Sequence, residues 1–253
     1  MGLTQVYRFK KNMNGTLYLI PNTLGPTDSL DQVIPQHVQQ LTSQLTHFVA
    51  ENAKTARAFL KQVGTAKPIQ EIAISELNIN TPPAALQALL EPLKAGHDVG
   101  LLSEAGVPAV ADPGADLVRL AHANNIPVRP LVGPSSILMS VMASGLNGQS
   151  FAFNGYLPTD AAQRSKRLKE LETRSRQEKQ TQLFIETPYR NAAMLEALVG
   201  ACSGSTLICV ATDISLPTET IRTRTGAQWK GLLDAGKAPD FHKKPTVFLL
   251  LAQ

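Results

Sequence analysis

Residues 101–114 read Leu-Leu-Ser-Glu-Ala-Gly-Val-Pro-Ala-Val-Ala-Asp-Pro-Gly. An apolar run ends at Leu102 and passes directly into a loop that contains a carboxylate, glycines and prolines. This order is typical of a buried strand followed by a binding loop, because ligands of open α/β sheets lie beyond the carboxyl ends of the strands. The stretch therefore predicts an α/β fold with a binding edge.

Apolar, β-rich runs alternate with helical patterns on both sides of this stretch. Such alternation favours a parallel sheet whose strands are joined by crossover helices. The predicted strands are 15–20, 46–50, 69–75, 98–102 and 126–132, and the predicted helices are 52–63, 81–94, 115–124 and 135–144.

A turn-rich segment, residues 145–150, marks the predicted boundary between two domains. We expect a flexible tail at 1–14, an N-terminal α/β domain at 15–146 and a C-terminal α/β domain at 147–253. Strands of the second domain are predicted at 151–154, 181–186, 206–212 and 246–250, with an antiparallel strand at 219–224.

The composition is that of a globular protein. The chain has 253 residues, of which 43% are hydrophobic and 17% charged, and this excludes disorder as the main state. No apolar run approaches the roughly 18 residues of a membrane span. Two cysteines, five scattered histidines and a net charge of +4 predict a reducing, cytoplasmic setting without a metal site or a membrane partner. The Gly-rich dinucleotide loop of an oxidoreductase is absent.

Four loops could carry chemistry, at 21–26, 103–108, 111–114 and 132–136. Taken singly, each is more often a plain turn or a helix cap. Three of them follow predicted strands, and the fourth joins two of these loops. This clustering makes a binding edge about as probable as the structural alternative.

Two of these regions resemble the tetrapyrrole methylase superfamily. They are residues 101–114 and the run Pro-Leu-Val-Gly-Pro-Ser-Ser at 130–136, which is followed by Ala-Ser-Gly-Leu at 143–146. Within the superfamily, the chain is most similar to the small-subunit ribosomal RNA (cytidine 2′-O)-methyltransferases. Residues 15–20, 153–158 and 186–190 carry this closer resemblance, which extends over 15–253.

The resemblance implies an S-adenosylmethionine-dependent methyltransferase with two α/β domains, a cofactor cleft between them and a homodimeric assembly. It also implies cofactor-binding positions, carried over residue by residue. These are Leu24, Ser103, Glu104, Val107, Ser135, Ser136, Ile185, Glu186, Ala211, Thr212, Pro245 and Thr246.

Several residues depart from the pattern of that subgroup. Glu104 stands where the family has aspartate, which keeps the carboxylate on a longer side chain. Residues 51–54 replace an acidic-Asp-Thr-Arg run, 74–79 lack the family's histidines, and 211–214 replace an Ala-Arg-Glu-Leu run. Two alternatives therefore stay open: a methyltransferase of a tetrapyrrole or other small molecule, and a non-catalytic relative that binds S-adenosylmethionine.

No catalytic base is assigned from the sequence. Glu51, Glu76, Asp112 and Glu186 are acidic residues near predicted strand ends, and each is more often structural than catalytic.

A basic segment, residues 164–179, carries seven basic and three acidic side chains. Its predicted partner is RNA, whose phosphates would be bound by a set of cations. A solvated helix with internal ion pairs, such as Lys166–Glu170, is the alternative. The candidate RNA-binding residues are Arg164, Lys166, Arg167 and Lys169.

Overall fold

The computed structural model describes residues 14–27 and 29–253. They form two compact units. Unit 1 contains Ser29–Gly133 and the described residues through Thr23, and unit 2 contains Pro134–Gln253 and the segment that begins at Leu24. The predicted tail, apart from Asn14, lies outside the described residues.

Unit 1 contains a five-stranded sheet in which every neighbouring pair is parallel. Its strands are β1 (Leu17–Ile20), β2 (His47–Ala50), β3 (Ala73–Glu76), β4 (Val99–Leu102) and β5 (Val128–Pro130). The spatial order is β3-β2-β4-β1-β5. All four residues of β4 are buried, as expected for a central parallel strand that is covered on both faces. The carboxyl ends of these strands therefore share one edge of the sheet.

Five helices connect the strands of unit 1. They are α1 (Gln36–Gln44), α2 (Ala53–Val63), α3 (Pro83–Leu89), α4 (Glu91–Lys94) and α5 (Ala115–Ala123). The predicted helix over 81–94 divides at Leu90, since Pro92 lacks an N–H group and favours the first turn of a new helix. The predicted strand over 69–75 begins only at Ala73, because Ile69–Glu71 forms a 3-10 helix after Pro68. A second 3-10 helix spans Leu30–Gln32.

Unit 2 contains a mixed five-stranded sheet in the order β6-β7-β10-β8-β9. Its strands are β6 (Phe151–Tyr156), β7 (Thr181–Ile185), β8 (Leu207–Thr212), β9 (Thr220–Thr225) and β10 (Thr246–Leu251). Strands β6 and β7 are parallel, whereas the other neighbouring pairs are antiparallel. The carboxyl ends of β6 and β7 thus lie at the edge where β10 begins.

Helices cover both faces of the second sheet. They are α6 (Ser136–Ser144), α7 (Ala161–Glu178), α8 (Asn191–Ala201) and α9 (Gly226–Asp234), with a 3-10 helix at Pro188–Arg190. Val141 of α6 packs with Leu183 and Leu249 in one apolar cluster. Leu168, Leu198 and Trp229, from α7, α8 and α9, pack in another. None of the described helices is long and apolar enough to cross a membrane.

The compact units divide at Gly133, earlier than the boundary predicted at Leu146. The reason is the packing of α6, whose buried Val141 belongs to the core of the second sheet. The turn-rich segment after Gly145 therefore joins two elements of unit 2. The predicted two-part α/β architecture is confirmed.

Candidate functional site

Asn22 fixes the loop that follows β4 in unit 1. Its backbone N–H donates to the Gly106 carbonyl at 2.8 Å. Its side-chain amide donates to the carbonyls of Ser103 at 3.2 Å and Glu104 at 3.0 Å. Gly106 has a φ of +66°, a left-handed conformation that glycine adopts without strain. One asparagine after β1 thus sets the shape of the predicted binding loop after β4.

The Glu104 side chain is exposed and lies beside the start of α2. The Thr55 hydroxyl donates to Glu104 Oε1 at 2.5 Å. Asn52 caps this helix, and its Oδ1 accepts from the Lys54 N–H at 2.8 Å. Glu76 Oε1 accepts from the Ala53 N–H at 3.0 Å. Glu76 therefore serves the first turn of α2, whereas Glu104 keeps a second carboxylate oxygen for other donors.

Glu51, Glu104 and Asp112 form a group that we name the carboxylate cluster. Burial raises the pKa of Glu51, and the negative charges of Asp112 and Glu104 raise it further. Burial also raises the pKa of Asp112; the Ser103 hydroxyl opposes this rise, and the charge of Glu104 adds to it. A cluster of this kind can accept hydrogen bonds from hydroxyl or ammonium groups. The raised pKa values of Glu51 and Asp112 suit these two carboxylates to take up a proton.

Ser103 and Val107 belong to the same loop of unit 1 as Glu104. Ser103 is buried and Val107 half-buried. Ser135 and Ser136 begin α6 in unit 2, where Ser135 Oγ accepts from the Leu138 N–H at 3.5 Å. Ser135 is therefore the N-cap of α6, and Ser136 is the first helical residue.

Four predicted cofactor positions meet at one edge of the second sheet. Thr246 is in register with Thr212, and Val247 with both Ala211 and Ile185. The hydroxyls of Thr212 and Thr246 lie 3.1 Å apart and both residues are buried. These hydroxyls thus hydrogen-bond each other across β8 and β10.

Two further predicted positions lie in loops of unit 2. Leu24 is half-buried against the apolar cluster that includes Ile137 and Ile221. Pro245 is exposed, and its carbonyl accepts from the Asp213 N–H at 2.9 Å.

Glu186 is buried at the end of β7 and is ion-paired. Its Oε1 accepts from the Arg190 guanidinium at 2.6 Å and from the Thr187 N–H at 2.6 Å. Of the four acidic residues considered as bases, Glu76 and Glu186 thus serve local structure. Glu51 and Asp112 are left as proton acceptors.

Relatives of this chain carry one shared name. No family model matches the chain. The ribosomal RNA small subunit methyltransferase I of Mesorhizobium japonicum is 34% identical over 210 residues, covering 83% of this chain and 67% of that protein. The Pseudomonas aeruginosa protein of the same name is 30% identical over 209 residues, covering 83% of this chain and 70% of that protein. This chain belongs to the ribosomal RNA small subunit methyltransferase I family.

Solved methyltransferases share the fold of this family member. The methyltransferase CobJ aligns with a TM-score of 0.60 at 17% identity, over 94% of each chain. The cobalt precorrin-4 methyltransferase CbiF aligns with a TM-score of 0.57 at 14% identity, over 93% of this chain and 94% of that one. These structures confirm the predicted tetrapyrrole methylase fold. The relatives named above confirm the predicted S-adenosylmethionine-dependent methyltransferase.

In this family member, the loop after β4 offers groups that fit the polar parts of S-adenosylmethionine. Glu104 presents an exposed carboxylate for ribose hydroxyls or an ammonium group. In unit 2, Ile185 offers a half-buried apolar surface. The buried Thr212 and Thr246 hydroxyls are instead engaged with each other.

Helix α7 of this family member has a different ion-pair pattern from the predicted one. Glu170 pairs with Arg167 at 3.2 Å, so the predicted Lys166–Glu170 pair does not form. Lys166 and Lys169 are exposed on one face of the helix. Arg164 donates to the Thr159 carbonyl at 3.0 Å.

Three residues that orient other groups of this family member were not predicted as such from the sequence. Asn22, Thr55 and Asn191 act through hydrogen bonds to residues at least 49 positions away in the chain. Asn22 carried a usable signal, because asparagine directly after a strand and a proline favours a turn that bonds its own backbone.

Proposed function

We propose that this protein transfers the methyl group of S-adenosylmethionine to a ribose hydroxyl of small-subunit ribosomal RNA. The observation that carries the proposal is the similarity of over four-fifths of the chain to relatives named for small-subunit ribosomal RNA. Ribosomal RNA as substrate favours a cytoplasmic location, and we propose that as well.

Residues of both units would bind the cofactor. In unit 1 we assign this role to Ser103, Glu104 and Val107, on the loop shaped by Asn22. In unit 2 the proposed positions are Leu24, Ser135, Ser136, Ile185, Glu186, Ala211, Thr212, Pro245 and Thr246.

The chain's own residues must orient the acceptor hydroxyl and take its proton. When bound, S-adenosylmethionine supplies an electrophilic methyl group. A ribose hydroxyl is a weak nucleophile, so a nearby proton acceptor helps. Glu51 and Asp112 are suited to this task, because burial and the charge of a neighbouring carboxylate raise the pKa of each carboxyl. Alignment of the acceptor supplies the remaining rate enhancement.

The RNA backbone would be bound by the amino-terminal half of α7. We assign this contact to Arg164, Lys166, Arg167 and Lys169. Lys166 and Lys169 support it, since neither forms an ion pair within residues 14–27 and 29–253 and both are exposed. Their ammonium groups can thus replace counterions along the phosphates.

The test combines cofactor binding with methyl transfer. Purified protein is titrated with S-adenosylhomocysteine by calorimetry and incubated with radiolabelled S-adenosylmethionine and unmodified small ribosomal subunits. Glu104→Ala should weaken binding by about 10- to 100-fold, since it removes hydrogen bonds to a charged group. Glu91→Ala is the matched control, because that exposed carboxylate pairs only with Lys94 among the described residues.

Each outcome separates the candidate functions. Label in 2′-O-methylated ribosomal RNA supports the proposal. Cofactor binding without transfer to subunits contradicts it and favours the small-molecule enzyme or the non-catalytic relative. Transfer to a precorrin would then identify the small-molecule enzyme, which the fold of CobJ and CbiF makes the first to try.

A further inference from the structure

Two exposed tyrosines follow neighbouring strands of the second sheet. Tyr156 ends β6, and Tyr189 lies in the 3-10 helix after β7. Strands β6 and β7 are parallel, and Tyr156 is in register with Ile185. Both rings therefore lie at the same edge of the sheet. Tyr156 is 60% exposed and Tyr189 71% exposed. Such exposure is unusual for large aromatic side chains and indicates a surface used for binding.

A lysine and a histidine lie against the Tyr189 ring. Lys243 Nζ lies 5.8 Å from the ring centroid. The His242 ring meets it edge-on, with centroids 6.1 Å apart and an interplanar angle of 78°. Lys243 forms no ion pair with any carboxylate of the described residues. We name Tyr189, His242 and Lys243 the Tyr189 platform.

Buried hydrogen bonds hold this platform in place. The amide of Asn191, a fully buried residue, donates to the carbonyls of Phe241 at 2.9 Å and Lys244 at 2.8 Å. The Lys243 N–H donates to the Pro188 carbonyl at 3.1 Å. Lys243 itself has a φ of +60°, which is costly for a residue with a side chain. The turn that presents His242 and Lys243 is thus tied to the helix that presents Tyr189.

We propose that the Tyr189 platform stacks an unpaired base of the RNA substrate and that Lys243 binds an adjacent phosphate. An exposed aromatic ring beside a cation such as Lys243 is the kind of surface on which single-stranded nucleic acids stack. Helix α7 contains no aromatic residue. It can therefore contact phosphates but cannot stack a base. The proposal rests on the proposed function and adds a base contact to it.

Stacking is measured with a ten-nucleotide single-stranded RNA that carries 2-aminopurine. Wild-type protein, saturated with S-adenosylhomocysteine, should quench the fluorescence of this base. Tyr189→Ala should weaken binding by about 5- to 100-fold and abolish the quenching, as expected for the loss of one stacked base. Tyr189→Phe should retain both the RNA affinity and the quenching, because phenylalanine keeps the aromatic ring. Ile79→Ala is the control, since Ile79 is an 88% exposed apolar side chain in unit 1.

The phosphate contact has a separate readout. Lys243→Gln should lower the slope of log affinity against log salt by about 0.7, the loss of one phosphate contact on a single strand. Lys61→Gln, on the exposed surface of α2, should leave the slope unchanged.

The outcomes distinguish this proposal from the proposed function. Equal binding and quenching by Tyr189→Ala and wild type overturn the platform, while methyl transfer to ribosomal subunits would still support the function. Wild-type protein that neither binds the RNA nor methylates subunits overturns both. A Tyr189→Ala protein that also loses its affinity for S-adenosylhomocysteine contradicts a role confined to RNA.

Discussion

The surroundings of Asp112 and Glu51 in unit 1 oppose the ionisation of their carboxyl groups. Each carboxyl is partly buried, and each feels the negative charge of the other or of Glu104. In the folded state both pKa values are therefore raised. Such repulsion is tolerated where a bound ligand offsets it, and it is typical of functional sites.

The pH dependence of stability follows from these raised pKa values. Between the ordinary carboxyl pKa and the raised one, the folded protein binds more protons than the unfolded chain, so stability falls as pH rises. Asp112→Asn should then increase the free energy of unfolding at pH 7 by under about 1 kcal/mol, since partial exposure screens the charges. The gain should shrink as the pH approaches about 4.

Urea unfolding at both pH values measures this difference. Asp116→Asn is the control, because Asp116 is exposed and pairs with Arg119, one turn later in α5. A stability gain that is equal at the two pH values would show that repulsion is not its cause.

Sequence alone could place Glu104 but not the groups that orient it. The motif at 101–114 located its loop, since the loop follows an apolar strand. Thr55 lies 49 positions away, and only the parallel pairing of β2 with β4 brings the two ends together. The Tyr189 platform depends on Asn191 in the same way, because that amide bonds carbonyls 50 and 53 positions away.

At the scale of elements, α7 is a basic helix with one buried carboxylate. Glu172 is 9% exposed, whereas Glu170 is exposed and pairs with Arg167. Glu172 Oε1 accepts from the Ser203 N–H at 2.7 Å and from the Thr206 hydroxyl. One carboxylate thus connects α7 to the turn between α8 and β8.

Glu172→Ala should lower the free energy of unfolding by about 2–3 kcal/mol, because it leaves the buried Thr206 hydroxyl and the part-buried Ser203 N–H without their acceptor. Glu170→Ala, two residues earlier on the exposed face, should cost under about 0.5 kcal/mol. Chemical denaturation of both variants checks the contrast. Equal costs would mean that the buried hydrogen bonds contribute nothing beyond a surface ion pair.

Element types were more predictable than their limits and pairing. Apolar runs located the five strands of unit 1, and most clearly β4, because a parallel strand that is buried on both faces is apolar throughout. Helix α1 was not predicted, since four of its nine residues are glutamine and only Val38 and Leu41 are apolar. The antiparallel pairing of β10 with β7 and β8 depends on contacts distant in sequence. A local pattern cannot specify such pairing.

At the scale of the whole molecule, α6 exposes two large apolar side chains on one face. Leu138 is 53% exposed and Met142, one turn later, 82% exposed. Neighbouring apolar side chains that are exposed in this way indicate a surface that a partner covers. The predicted homodimer would supply that cover, and we propose that α6 packs against a second copy of the chain.

Substitution on this face tests the dimer. Wild-type protein at micromolar concentration should show twice the chain mass by light scattering. Met142→Lys should give the monomer mass, because a charge in the centre of an apolar interface costs several kcal/mol when it is buried unpaired. Ile79→Lys, at an isolated exposed residue of unit 1, should stay dimeric. A wild-type monomer would leave the face of α6 to another partner. A dimeric Met142→Lys protein would place the interface elsewhere on the chain.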